Sequence, residues 1–167
     1  MPKIEAVDLI SQVVQPVIDL FGANAATQNV RIVLEQNELK KQSHEADKTR
    51  IQQILINLMS NAIKFSKSGD KIIVGVRQTV LRVDGQNEFE ISVTDEGLGL
   101  NNEDRRNLFQ PHFRSSCPTN RAANSQSNGI GLSICRRIAE NIGGNLSLCS
   151  DYRYGCRFIL KLQLQAH

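Results

Sequence analysis

Asn57-Leu58-Met59-Ser60-Asn61-Ala62-Ile63-Lys64-Phe65 closes an amphipathic helical pattern, and the two faces of that helix differ in kind. On a wheel turned by about 100° per residue, Arg50, Gln53, Asn57, Asn61 and Lys64 fall within roughly 80° of one another. Ile51, Leu55, Leu58 and Ala62 take the adjoining face, which is expected to pack on a sheet. A stripe of Lys and Glu would be an ordinary solvated surface. Two Asn one turn apart are not, because Asn is a mediocre helix former that gains little on a surface. An amide oxygen suits Mg²⁺ between phosphates, and Lys64 offers those phosphates a point charge.

Working outward, the helix is expected from about Lys48 to Phe65, with Gly69 as its stop signal. Upstream, Leu9, Ile10, Val13, Val14, Val17, Ile18 and Phe21 recur with a period near 3.6, predicting a helix from Val7 to Phe21 with Asp8 as N-cap and a bend at Pro16. A short β-rich run, Arg31 to Leu34, follows it. Downstream, Lys71 to Val80 and Glu88 to Thr94 read as an antiparallel hairpin turning at Asp84-Gly85-Gln86-Asn87. Asp95 to Asn128 is rich in Gly, Asn, Ser, Arg and Pro, with a short helical patch around Asp104 to Phe109; so long a loop in a compact domain points to a working lid. A third helix, Ile130 to Ile142, stops at Gly143-Gly144, and strands Asn145 to Ser150 and Cys156 to Leu164 end the chain. Helices interleaved with hairpins imply an α+β fold, a two-layer sandwich with a mixed, largely antiparallel sheet covered on one face by helices.

The bulk properties agree with one domain over residues 1–167. Hydrophobic residues make up 40% and charged residues 22%, far from the profile of a disordered chain. The net charge of +3 comes from scattered short doublets without interleaved aromatics, so no nucleic-acid partner is expected. Cys117, Cys135, Cys149 and Cys156 form no C-x-x-C pair, which argues against zinc and for reduced thiols. No apolar run approaches the roughly 18 to 20 residues that cross a bilayer, and no leader-like order opens the chain. A cytoplasmic location without membrane contact is expected.

Asp95-Glu96-Gly97-Leu98-Gly99-Leu100 follows directly on an apolar strand. An acid at a strand end is often only a cap. Its functional reading is an acceptor for an exocyclic amine, with Gly97 and Gly99 letting the backbone approach a flat ring. Asn128-Gly129-Ile130-Gly131-Leu132 opens the third helix and offers free amides to phosphate. Neither a P-loop nor a dinucleotide-binding glycine fingerprint is present.

In order and spacing these segments resemble the N, G1, F and G2 boxes of the histidine-kinase ATP-binding domain, a branch of the GHKL superfamily with the Bergerat fold. Asn57 to Phe65 matches the N box, Asp95 to Leu100 the G1 box, Leu108-Phe109-Gln110-Pro111-His112-Phe113-Arg114 the F box, and Asn128 to Leu132 the G2 box. Asp47 to Gln53, Gly143-Gly144 and Gly155-Cys156-Arg157-Phe158 are similar to its flanks. The resemblance implies ATP and Mg²⁺ as ligands. It assigns Asp95 to the adenine amine, Asn61 to Mg²⁺, and Asn57 and Lys64 to the phosphates. Phe65 and Leu132 would wall the base, and Gly129, Ile130 and Gly131 belong to the phosphate lid, about residues 97–131. Phe109 and Phe113 would pin one end of that lid, and Arg114 would meet the γ-phosphate.

Two departures matter. The first position of the G2 box is Ser127 where the family usually has glycine, which is expected to stiffen the lid. The gyrase-like branch carries a glutamate where this chain has Asn57, and an amide is no base for water near neutral pH. The resemblance therefore implies γ-phosphoryl transfer to a histidine on a separate dimerisation domain, within a two-component phosphorelay that also involves a response-regulator receiver domain. The alternatives are a non-catalytic nucleotide- or partner-binding module that keeps the fold, and a stand-alone GHKL-type ATPase. The acceptor domain is expected to be absent from this chain. Ser43-His44-Glu45 imitates the opening of the acceptor motif but lacks its continuation, and His44 is read as an exposed loop residue.

Overall fold

The computed structural model describes residues 1–37, 39, 42–117 and 131–167. Its central helix, α2 (Lys48–Phe65), begins where the side chain of Asp47 accepts from Arg50 N at 3.0 Å. The other Asp47 oxygen accepts from Lys3 N at 2.8 Å, so the cap also ties down the N-terminal segment. α2 ends at Ser66, whose backbone turns extended, and Gly69 takes a positive φ of 93° in the turn beyond. Ile51, Ile54, Leu55, Leu58, Met59, Ala62 and Ile63 are buried along one side, as the apolar stripe requires.

That side lies on a seven-stranded sheet. The strands are β1 (Glu5–Val7), β2 (Arg31–Gln36), β3 (His44–Ala46), β4 (Lys71–Val80), β5 (Gln86–Asp95), β6 (Asn145–Leu148) and β7 (Cys156–Ala166). Their order is β1-β3-β7-β5-β4-β2, with β6 also paired to β7. Among the described residues only β2 and β4 run parallel; every other pairing is antiparallel. β4, β5 and β7 alternate buried and less buried residues, and the inward set, including Val74, Val76, Ile91, Val93, Leu160 and Leu162, meets the helices. α2 crosses β5, flanked by α1 (Gln15–Thr27) and by the last helix, α4 (Gly131–Asn141). The short α3 (Asn102–Asn107) is capped by Asn101, whose side chain accepts from Asp104 N at 2.8 Å. The expected α+β sandwich with a mixed, largely antiparallel sheet is what forms.

Four local expectations are corrected. Asp8 does cap a helix, accepting from Ser11 N at 2.7 Å, but Leu9–Val14 is π-helical and α1 runs on to Thr27. Pro16 sits in the first turn of α1, where the hydrogen-bond register changes and its missing N–H costs nothing, so it does not bend a helix interior. The β4–β5 turn falls at 81–85, because Asn87 belongs to the strand: its buried amide accepts from Arg82 N at 3.1 Å and faces the ring of His44 at 3.3 Å. His44 is buried in β3, not exposed in a loop; Phe89 packs its ring edge-on at 4.7 Å. Burial holds its imidazole below the ordinary value of 6.5.

Leu58→Ala is expected to cost about 2 to 5 kcal/mol through a cavity under α2, whereas Asn61→Ala, on the polar stripe, leaves stability within about 0.5 kcal/mol. Urea denaturation of both variants checks this; equal losses would make the Asn stripe structural.

Candidate functional site

The site forms where α2 ends beside the end of β5. Asp95, the last residue of β5, is 6% exposed. Its Oδ1 accepts from Gly97 N at 2.9 Å and from Cys156 N at 3.3 Å. Oδ2 accepts from no described residue, so the carboxylate is buried with one oxygen committed and one open. Burial pushes its pKa up from 3.8 to about 6, against the pull of the two amides, and the charge of Asp70 adds to the rise.

Glycines make the close approaches. A Cβ on Gly97 would lie 2.6 Å from Phe65 O and 2.9 Å from Asp95 Oδ1, so any larger residue would force the turn off α2. Gly99 follows with a φ of 69°. On the other side of α2, a Cβ on Gly131 would lie 2.5 Å from Asn57 Nδ2, which places the start of α4 directly on the amide stripe.

Along that stripe Asn61 Nδ2 donates to Asn57 Oδ1 at 3.4 Å. The pairing orients Asn61 so that its Oδ1, which accepts from no described residue, is the hard oxygen left for a cation. That donor chemistry fits Mg²⁺, which binds few protein oxygens and keeps waters and phosphates as its other ligands. Lys64 follows one turn on, its ammonium 5.8 Å from the centroid of the Phe65 ring; partial burial pulls its pKa below the usual lysine range. Among the described residues no group of three or more His, Cys, Asp or Glu is placed to hold a metal.

The structure thus brings Asn57, Asn61 and Gly131 together at one end, and Phe65, Asp95 and Gly97 together at the other. Leu132 and Phe113 are half-buried against the core, while Arg114 is exposed. Phe109 meets Phe158 edge-on at 6.2 Å and carries the guanidinium of Arg136 over its face at 4.4 Å, so the segment after α3 is fastened to both β7 and α4. Ser127, Gly129 and Ile130, and much of the expected lid, lie outside the described residues.

Two sets of supporting residues escaped the sequence reading. Asp104, buried on α3, accepts from the Ser115 hydroxyl and from Ser116 N at 2.9 Å, and so holds the chain that leaves the F box. The 149–155 loop underlies Asp95: a Cβ on Gly155 would sit 2.1 Å from Asp95 O, and the Tyr152 hydroxyl donates to that same oxygen at 3.2 Å. Nothing in the short, polar Tyr152-Arg153-Tyr154-Gly155 stretch distinguishes it in sequence from an ordinary surface turn.

The chain is similar to known proteins over most of its length. The profile of HATPase_c, described as histidine kinase-, DNA gyrase B-, and HSP90-like ATPase, covers residues 46–166. The autoinducer 2 sensor kinase/phosphatase LuxQ of Vibrio cholerae is 32% identical over 120 residues, 72% of this chain but only 13% of LuxQ. The solved catalytic domain of histidine kinase ThkA superposes with a TM-score of 0.77 at 26% identity, covering 96% of this chain and 97% of that one. ThkA in complex with the response regulator protein TrrA gives 0.73 at 25% identity, over 96% of this chain and 41% of that one. No helix among the described residues is long and apolar enough to cross a membrane.

Because native Asp95 holds its proton more tightly than a free carboxyl, ionisation penalises the folded state increasingly as pH rises from 3.8 through about 6, and fully above that. Asp95→Asn is therefore expected to be more stable than the parent at neutral pH, by on the order of 1 to 3 kcal/mol, and to lose that advantage near pH 3.5. Urea midpoints at the two pH values test it; a gap that does not change with pH would contradict the buried-charge account.

Proposed function

The chain belongs to the HATPase_c family, the histidine kinase-, DNA gyrase B- and HSP90-like ATPases, and we propose that it holds ATP and Mg²⁺ for transfer of the γ-phosphoryl group to a histidine on a separate dimerisation domain. The observation that carries this reading is Asp95: a buried carboxylate with one oxygen spoken for and the other open among the described residues, at the end of β5 beside a helix whose half-buried polar stripe carries Asn57, Asn61 and Lys64. The open oxygen accepts from the 6-amino group of adenine. Phe65 and Leu132 wall the base, and Gly97 and Gly99 let it approach.

Asn57, Lys64 and the amides at the start of α4 take the phosphates. Asn61 would hold Mg²⁺, which neutralises charge on the phosphate oxygens when bound. Phosphoryl transfer asks the protein mainly for position and charge neutralisation, which amides and one lysine supply. Asn57 is no base for water, so the reading favours an external nucleophile over hydrolysis. Its candidates within the chain are poor: His44 is buried under Phe89, His112 is exposed, and His167 faces Glu45 at 3.8 Å. The parent would be a two-component sensor kinase that keeps this part in the cytoplasm and passes the phosphoryl group to a response-regulator receiver domain. ThkA, captured with TrrA, is the relative that supports that partner.

ATP is expected to bind about five- to a hundredfold more tightly than GTP, because guanine leaves the buried acceptor unpaired. Titration calorimetry reads the ratio, and equal affinities would remove Asp95 from the base site. Incubated alone with radiolabelled ATP, the chain is expected to stay unlabelled, and to label a separately supplied histidine hairpin slowly, at a rate that rises with hairpin concentration. Label on the chain itself that disappears in His44→Ala would overturn that assignment.

A further inference from the structure

The chain between β6 and β7 is attached to Asp95 at three points, two in the 149–155 loop and one at the first residue of β7. Tyr152 Oη donates to Asp95 O at 3.2 Å, Cys156 N donates to Oδ1 at 3.3 Å, and Gly155 packs against the same carbonyl. The loop is itself held from outside by Arg105 of α3. Its Nη2 donates to Tyr152 O at 2.7 Å, Nη1 to Cys149 O at 3.1 Å, and Nε to Leu100 O at 3.4 Å. The Tyr152 ring lies under the guanidinium of Arg157, 5.2 Å from centroid to carbon, and Arg157 Nε donates to Thr94 Oγ1 at 3.0 Å, the residue before Asp95. Tyr152 is thus clamped through its carbonyl and its ring while its hydroxyl grips the backbone of the acidic residue.

We propose that Arg105 and Tyr152 are positioning residues for base recognition: through the 149–155 loop they fix where the open oxygen of Asp95 stands, and so set how sharply the site distinguishes a 6-aminopurine from one without the amine. This rests on the adenine reading of Asp95 given above. A recognition group must be held within about 0.5 Å of its productive place, and a carboxylate at the last residue of a strand has no ladder beyond it to do so. The guanidinium fork reaches three carbonyls from two segments, which an ammonium on a flexible stem does not reproduce. Neither residue is assigned contact with the nucleotide, so both act through Asp95.

The test titrates the 167-residue chain with ATP and with purine riboside 5′-triphosphate, which lacks the 6-amino group, alongside thermal melts. Tyr152→Phe removes one hydroxyl and Arg105→Lys keeps the charge while losing the fork. Each is expected to lower the preference for ATP about threefold to tenfold while leaving affinity for the desamino nucleotide nearly unchanged. Asp95→Ala abolishes the preference, and adding Tyr152→Phe to it changes the preference no further. Equal loss for both nucleotides would mean that the loop merely holds the fold together and would overturn the inference, as would an undiminished preference in both variants. A parent chain that itself shows no preference would refute the adenine reading, and this inference with it, so the parent titration tells the two failures apart.

Discussion

A charged group placed where water cannot reach it fully is the constraint around which this fold is organised. Asp95 is 6% exposed, and an isolated buried carboxylate is costly unless hydrogen bonds compensate it. Gly97 N and Cys156 N supply two, to the same oxygen. Their geometry dictates the neighbours: glycine at 97, because a side chain would strike Phe65 O, and glycine at 155, because one would strike Asp95 O. The second oxygen keeps an unmet demand of about 1 to 3 kcal/mol. Under the proposed adenine reading, a donor on the ligand recovers that cost and turns it into selectivity.

α2 solves a second problem with the same backbone. One side buries Ile51, Leu55, Leu58 and Ala62 and fixes the helix on the sheet; the adjoining stripe is then free to carry groups chosen for chemistry. Asn57 lies under Gly131, so the last helix starts against the stripe, and Asn57 also orients Asn61. In the proposed reading a rigid element thus carries the phosphate end of the site, while β5 and the 149–155 loop carry the base end. On α3, Asp104 holds the segment at Ser115 and Ser116, and Arg105 holds the loop.

What was readable in the sequence follows from which forces leave a periodic trace. α2, α4, β4, β5 and β7 bury one face each, and their apolar spacing announced them. β1 and β3 are three residues long, too short for any period, and exist because β7 and each other complete their hydrogen bonds. His44 was misjudged for the same reason: nothing local says that Phe89, more than forty positions away, covers it. Asp8 was legible as a cap, but the π-helical turn it opens was not, since a shift of hydrogen-bond register leaves the apolar pattern nearly intact. The site residues Asn57, Asn61, Asp95 and Gly97 were legible because their types are unprofitable as structure. Arg105 and Tyr152 were not, because a half-buried arginine bonding carbonyls looks in sequence like any surface charge.

The central claim is that Asp95 is held ionised as an acceptor for a purine amine, and a side-chain carboxyl titration by NMR, with and without a saturating non-hydrolysable ATP analogue, tests it most directly. The account predicts an apparent pKa of about 6 in the free chain and a clear fall when the nucleotide binds, because a donor on Oδ2 favours the charged form. A resonance that titrates at the same pH in both states would mean that the nucleotide does not use this carboxylate, and would contradict the account.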